Sequence, residues 1–392
     1  MDFTIPADLE AIRARVEAFV RDVVIPVETD AEHDPKTLEE LRQKARAAGL
    51  WTPHLPRDWG GLGLGTMGMA LVSKELGASR VAPLAVNASA PDEGNMHLLL
   101  AIGTHEQQQR WLRPLADGAI RSCFAMTEKD AGSDPTRIQT RAIEKDGAWE
   151  ITGDKWFITG AEGAAFAIVV AMSDPNVAQP HERYSLFLVD AKDPGWRVLR
   201  QVPVLGTHAP GGHCEVALRG ARAQLLGQRG KGFAHAQHRL AGGRIAHAMR
   251  WLGVAQRSLD LAAQRALSRE TFGERLAERQ AVQWMLAESA MDLHASRLMV
   301  LHAAWKIDRG LEHRQEIAMV KVFVANALHR VVDRAIQVHG ALGYSDDLPL
   351  ARFYADARAA RIYDGPDEVH MMQIAKTVLR EAAKRGTTRG AV

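Results

Sequence analysis

Phe166-Ala-Ile-Val-Val-Ala171 and Tyr184-Ser-Leu-Phe-Leu-Val189 are short runs rich in β-branched and aromatic residues, closed off by Gly, Asp, Asn and Pro. With Trp149-Glu-Ile-Thr152, Trp156-Phe-Ile-Thr159 and Cys214-Glu-Val-Ala-Leu218 they predict strands of a compact β-domain over residues 120–230, a barrel or a sandwich. On both sides of this region the apolar period becomes helical. Upstream, Ile5, Leu9, Ile12, Val16, Phe19 and Val23, then Leu38, Leu41 and Ala45, predict a helical domain over 1–119. Downstream, long amphipathic segments at about 245–268, 278–309, 313–340 and 366–384 predict a four-helix bundle within 231–392. The expected fold is therefore α+β and multidomain, with an N-terminal helical domain, a middle β-barrel domain and a C-terminal four-helix bundle. Gly60 to Gly65 reads as a flexible connection before a helix starting near Met67. Its glycines follow no predicted strand, which argues against a dinucleotide fingerprint.

Composition sets the class. The 392 residues are 46% hydrophobic and 24% charged, enough for two or three well-buried cores. A formal net charge of +2 gives no electrostatic reason for nucleic acid as partner, and the basic tail (Lys376, Arg380, Lys384, Arg385, Arg389) reads as a solvated helix face. The two cysteines, Cys123 and Cys214, lack metal spacing and read as free thiols of a reducing compartment. No targeting signal and no membrane span is read, so the expected location is the cytoplasm of a bacterium or an organelle matrix. His235, His238 and His247 share a helical segment, but no nearby carboxylate or cysteine in sequence completes a metal set, and they read as exposed histidines.

The segment Arg361-Ile-Tyr-Asp364-Gly-Pro-Asp-Glu-Val-His370 offers a carboxylate just before a sharp Gly-Pro corner. A side chain in that position sits on rigid backbone and can point into a cleft as a base. By itself the pattern reads more readily as a cap for the helix that follows.

Phe124-Ala-Met-Thr127-Glu-Lys-Asp-Ala-Gly-Ser133-Asp134, Lys155-Trp-Phe157-Ile-Thr159, Arg269-Glu-Thr-Phe272-Gly and Gln337-Val-His-Gly340-Ala-Leu-Gly343 follow one another in an order and spacing that resembles the acyl-CoA dehydrogenase family. The resemblance runs through essentially the whole chain. It implies FAD as cofactor, acyl-CoA as substrate, an electron-transferring flavoprotein as electron acceptor, and a homodimer or homotetramer. Desaturation of an acyl thioester needs a base for the α-proton while the flavin accepts the β-hydride. By position, the resemblance assigns Phe124, Met126, Thr127, Phe157 and Thr159 to the flavin ring, and Ser133 to the cofactor region and the CoA portion of the substrate. Arg269, Thr271, Phe272 and Gln280 match residues that hold the flavin nucleotide, commonly across a subunit interface. Gln337, Gly340 and Ala341 match a loop that closes over the dinucleotide. Pro366 and Glu368 match cofactor contacts, and Arg244 and Gly365 match substrate contacts.

The family places its catalytic carboxylate either in the turn matched by Asp364 or immediately before the arginine matched by Arg244; the residue there is Gly243, so the resemblance implies Asp364. Most relatives carry glutamate at that turn. Phe157 stands for a common tryptophan, Pro366 for a flavin-contacting threonine, and Ala341 for a glycine. Together with Ala90-Pro-Asp-Glu-Gly-Asn-Met96, Gly211-Gly-His-Cys-Glu-Val216 and Glu316-Ile-Ala-Met-Val-Lys321, these departures resemble a branch with an aspartate base whose eukaryotic members are often joined to an aminoglycoside-phosphotransferase-like kinase. That branch implies long-chain or hydroxylated acyl-CoA. Two other readings stay open: a nitroalkane-oxidase-like flavin oxidase using the same aspartate, and a non-catalytic, DNA-associated flavin-containing relative.

Overall fold

The computed structural model describes residues 4–206 and 209–389. Helices dominate the first part: α1 (Ala7–Phe19), α2 (Pro35–Ala47), α3 (Gly65–Leu76) and α4 (Asp92–Ile102). Seven strands follow among the described residues: β1 (Ser122–Ala125), β2 (Arg141–Lys145), β3 (Ala148–Thr159), β4 (Phe166–Met172), β5 (Tyr184–Asp190), β6 (Trp196–Gln201) and β7 (His213–Leu226). The rest is again helical: α5 (Gly232–Ser268), α6 (Gln280–Asp308), α7 (Arg314–His339), α8 (Leu350–Ala360) and α9 (Asp367–Arg389). Helical, β and helical regions thus occur in the expected order.

The sheet runs β1-β4-β2-β3-β7-β5, and a further pairing of β5 with β4 closes it into a barrel. Closure works because two strands each serve two partners along one edge. On one edge β4 pairs in parallel with β1 through Ser122↔Phe166 and then meets β2 at Arg141↔Met172. One edge of β7 pairs with β6 around Val216 and with β5 around Leu225. Closing a sheet in this way removes the exposed edges that invite aggregation.

The apolar run of β4 is buried on both faces. Ala167, Val169 and Ala171 join Ile151, Phe187 and Val216 in one core, while Phe166, Ile168 and Val170 join Leu98, Trp111, Leu112 and Leu115 in a second. Successive strand residues point to opposite faces, so a strand covered on both sides has no polar positions. That is why this stretch reads as continuous rather than alternating.

Contacts group the chain into two compact units. One comprises residues 48–63 and 86–243; the other comprises 1–47, 64–85 and 244–392. In the second unit α7 is the central helix: Val320, Val324, Leu328, Val331 and Ala335 are buried, and so are Ala325 and Val332 on another side. The helices α6, α8 and α9 pack against it.

Several boundaries differ from the sequence reading. The first bundle helix begins at Gly232 instead of near 245, because the Gly242-Gly243 pair interrupts the apolar period without breaking the helix. Trp149–Thr152 and Trp156–Thr159 belong to one strand, β3, carried through by bulges in its pairing with β7. Strands β1, β2 and β6 and helix α8 were not read; β2 and β6 are mostly exposed, and their few apolar residues are interrupted by charged ones. The Gly60–Gly65 segment begins as a packed, hydrogen-bonded turn. A Cβ on Gly61 would stand 2.0 Å from the Leu55 carbonyl oxygen, and the Gly61 and Gly63 amides donate to Pro56 and Leu55 carbonyls at 3.0 Å each. Helix α3 then starts at Gly65, two residues earlier than expected.

Candidate active site

The Asp364 turn is built from three directions. Asp364 sits in the left-handed region (φ 56) and Gly365 follows it at φ 94. A Cβ on Gly365 would lie 2.9 Å from His370 Nε2, so close packing as well as backbone angle excludes other residues here. From α5, Arg244 Nε donates to the Asp364 carbonyl at 3.0 Å. From α9, His370 Nε2 lies 3.2 Å from the same oxygen and must be the donor, since a carbonyl only accepts. Burial and the Arg244 charge push the His370 imidazole down to about 4, so the ring stays neutral at pH 7. Trp251 Nε1 donates to Tyr363 Oη at 2.8 Å, securing the residue before Asp364.

The carboxylate of Asp364 does not cap α9; no helix amide among the described residues donates to it. That corrects the cap reading: the helix starts at Asp367, which leaves Asp364 two residues short of the cap position. The buried acid of the segment is instead Asp367, the first residue of α9. It accepts from Asn326 Nδ2 at 2.9 Å and from Arg361 Nε at 2.9 Å, and it faces Lys321 Nζ at 3.4 Å. Asp364 itself is about one-fifth exposed, with its Oδ2 at 3.4 Å from His247 Nε2. His247 therefore does have a carboxylate neighbour, contrary to the sequence reading, because the contact joins residues far apart in the chain. The His238 side chain lies outside the described residues. Among the described residues, no three His, Cys, Asp or Glu side chains gather as a metal site.

In the other unit, Phe124 lies in β1, and Met126 and Thr127 follow it. Buried Lys155 anchors this loop: its Nζ donates to the Met126 carbonyl at 3.0 Å, the Val170 carbonyl at 2.8 Å and Glu128 Oε1 at 2.9 Å. Burial pushes the Lys155 ammonium down to about 8, opposed by the Glu128 charge. The Trp156 amide donates to the Thr127 carbonyl at 2.8 Å, tying the loop to β3. Between Lys155 and Ile158 the β3–β7 register slips, and Phe157 takes φ 58 with its ring 43% exposed. A bulge re-aims a side chain that would otherwise alternate into the core. Thr159 Oγ1 lies 2.9 Å from His213 Nδ1, and the His213 ring stacks on Phe157 with centroids 5.8 Å apart. Ser133 is exposed on the loop beyond β1, just before Asp134, whose side chain caps a short turn at Thr136.

The remaining predicted residues fall in the second unit. Arg269 is exposed at the end of α5. A two-stranded hairpin, Glu270–Thr271 with Glu274–Arg275, then holds Phe272 wholly exposed at φ 51. Arg279 Nη2 donates to the Thr271 carbonyl at 2.8 Å, bracing that hairpin. Gln280 begins α6, Gln337 is exposed on the last turn of α7, and Gly340 and Ala341 follow it. Pro366 precedes α9, and Glu368 is exposed in its first turn.

Family models cover nearly all of the chain: the acyl-CoA dehydrogenase N-terminal domain over residues 6–119, the middle domain over 123–220 and the C-terminal domain over 230–379. The chain belongs to the acyl-CoA dehydrogenase family. It is 42% identical to the "Probable acyl-CoA dehydrogenase FadE2" of Mycobacterium tuberculosis, with 97% of each chain covered. It is 38% identical to acyl-CoA dehydrogenase family member 11 of Gallus gallus over 97% of its own length, but spans only 52% of that relative. The solved butyryl-CoA dehydrogenase from Megasphaera elsdenii superposes with a TM-score of 0.85 at 28% identity, covering 97% of this chain and 100% of that one.

Membership makes the protein an FAD-dependent oxidoreductase acting on acyl-CoA. The residues present fit the cofactor. Phe157 and Phe272 are aromatic rings held out of the cores by left-handed backbone, Thr127 and Thr159 supply half-buried hydroxyls, and Arg269 supplies an exposed guanidinium. Rings, hydroxyls and a cation are the donor set that a flavin and its pyrophosphate need. Sequence reasoning missed the supports: Glu128, Lys155, His213, His247, Asp367 and His370. All of these except His247 stood inside quoted motifs, but nothing in a motif says which atom a side chain will reach.

Proposed function

We propose that this acyl-CoA dehydrogenase uses Asp364 as the base that takes the α-proton of the acyl thioester. The observation that carries the reading is the Asp364 turn, whose main chain is held by Arg244 and His370 while its carboxylate stays partly open. FAD, when bound, supplies the acceptor for the β-hydride. Thr127 and Thr159 are suited to donate to the flavin ring's polar edge, where negative charge arrives, and Phe157 to pack on the ring. Met126 and Phe124 line the same loop and strand. Arg269 is suited to the pyrophosphate, with Thr271, Phe272 and Gln280 beside it. Gln337, Gly340, Ala341, Pro366 and Glu368 are assigned to the dinucleotide, and Ser133 and Gly365 to the substrate.

Aspartate is one methylene shorter than the usual glutamate, so the α-carbon must come closer for the proton to lie within reach. The Asp364-Gly-Pro-Asp-Glu-Val-His370 and Gly211-Gly-His-Cys-Glu-Val216 wording supports placing the chain in the aspartate-base branch, and with it a preference for long-chain or hydroxylated acyl groups. An electron-transferring flavoprotein is the proposed acceptor. Self-association is supported by α6, where Trp284, Met291, Leu298 and Trp305 repeat every seven residues and are all exposed.

Anaerobic mixing of the FAD-loaded protein with acyl-CoA thioesters of graded chain length, with and without hydroxyl groups, tests the reading. Substrate is expected to bleach the flavin, and Asp364→Asn to slow bleaching at least ~100-fold with the flavin still bound. Unchanged bleaching in the variant would place the base elsewhere; bleaching by a nitroalkane but by no thioester would favour the oxidase reading.

A further inference from the structure

We propose that His247 is a positioning residue for Asp364, holding one carboxylate oxygen so that the other faces the α-proton. The inference rests on Asp364 being the base. One face of α5 reads the turn at successive helical positions: Arg244, His247 and Trp251 are spaced three and four apart. Arg244 takes the Asp364 carbonyl, Trp251 takes the Tyr363 hydroxyl, and His247 Nε2 stands 3.4 Å from Asp364 Oδ2. The main chain is thereby held while the side chain keeps its own rotations. Among the described residues, no hydrogen bond ends on either carboxylate oxygen, and His247 Nε2 stands within ion-pair reach of Oδ2.

The ring is itself fixed in place. Its centroid lies 5.1 Å from that of Tyr363 and 6.1 Å from that of Trp251, so aromatic packing limits its tilt. The other charged and titratable groups around the carboxylate are Arg244 from α5, Lys321 from α7, Tyr363 from the turn itself and His370 from α9. Arg244 and His370 address the carbonyl, and Lys321 addresses Asp367. A short aspartate with two equivalent oxygens gains most from such a partner, since a misplacement of about 1 Å costs on the order of 100-fold in rate.

The test separates proton removal from hydride loss. The probe is the 3-thia analogue of whichever acyl-CoA bleaches the flavin fastest; sulfur in place of the β-carbon leaves an α-proton to remove but no hydride to give. The enolate left beside oxidised flavin absorbs at long wavelength, and that band is followed in FAD-loaded wild type, Asp364→Asn, His247→Leu and His247→Gln. Wild type should form the band and Asp364→Asn should not. His247→Leu should form it about tenfold more slowly, on the scale of a lost orienting contact, with probe affinity and thermal unfolding midpoint unchanged. His247→Gln, which keeps a donor, should recover most of the rate. Wild-type speed in His247→Leu, or equal slowing in the Leu and Gln variants, overturns the role of His247 while leaving Asp364 as base. A band in Asp364→Asn overturns the base itself, whatever the histidine variants do.

Discussion

His370 shows how a single buried ring couples the Asp364 turn to pH. In the folded chain its proton is held off until about pH 4, whereas a histidine in an unfolded chain titrates near 6.5. Between those values the unfolded state binds more protons, so this group's contribution to stability is complete above about pH 6.5 and is lost as pH falls toward 4. Thermal unfolding midpoints measured across that window should fall on acidification, and His370→Gln should flatten the fall. Asp367 is a second buried support of the same segment. Replacing it by asparagine leaves Lys321 buried without its carboxylate, and denaturant titration should find about 3 kcal/mol of lost stability. An unchanged midpoint would mean that Lys321 had shed its proton or found water. Neither residue was legible as a support, because His370 and Asp367 act on atoms whose positions depend on the turn and on α7.

At the scale of elements, the loop after β1 and the bulged strand β3 form one mechanical piece. Lys155 reaches the Met126 carbonyl, Glu128 and the Val170 carbonyl, and so joins the Thr127 loop to β3 and β4. Glu128→Gln should destabilise the protein by about 3 kcal/mol, the usual cost of breaking a buried pair, and should also weaken FAD retention in equilibrium dialysis. Loss of stability with FAD affinity intact would separate the pair from the loop. The period of β4 and β5 was legible because both strands are buried and apolar. The bulge at Phe157 was not, since a strand pattern records alternation and a slip in register appears only when β7 is alongside.

For the whole molecule, the stripe of Trp284, Met291, Leu298 and Trp305 on α6 is too regular and too exposed for scattered surface apolarity. If a second copy covers it, Met291→Glu should lower the mass seen by light scattering or sedimentation while leaving the circular-dichroism spectrum unchanged. Among the described residues, no helix is long and apolar enough to cross a membrane. Both cysteines are free and buried, and burial pushes both thiols up, which leaves them poor nucleophiles.

By itself the sequence determined the succession of helical, β and helical regions, which follows from apolar period, while its motifs carried the resemblance that implies the family and its cofactor. It also singled out Asp364, which the segment alone reads as a cap and the family resemblance makes the candidate base. Only the tertiary structure decided how the barrel closes, which way Asp364 turns, and that Arg244, His247 and His370 converge on it. Those outcomes depend on contacts between residues far apart in the chain, at distances and angles that neither period nor motif encodes.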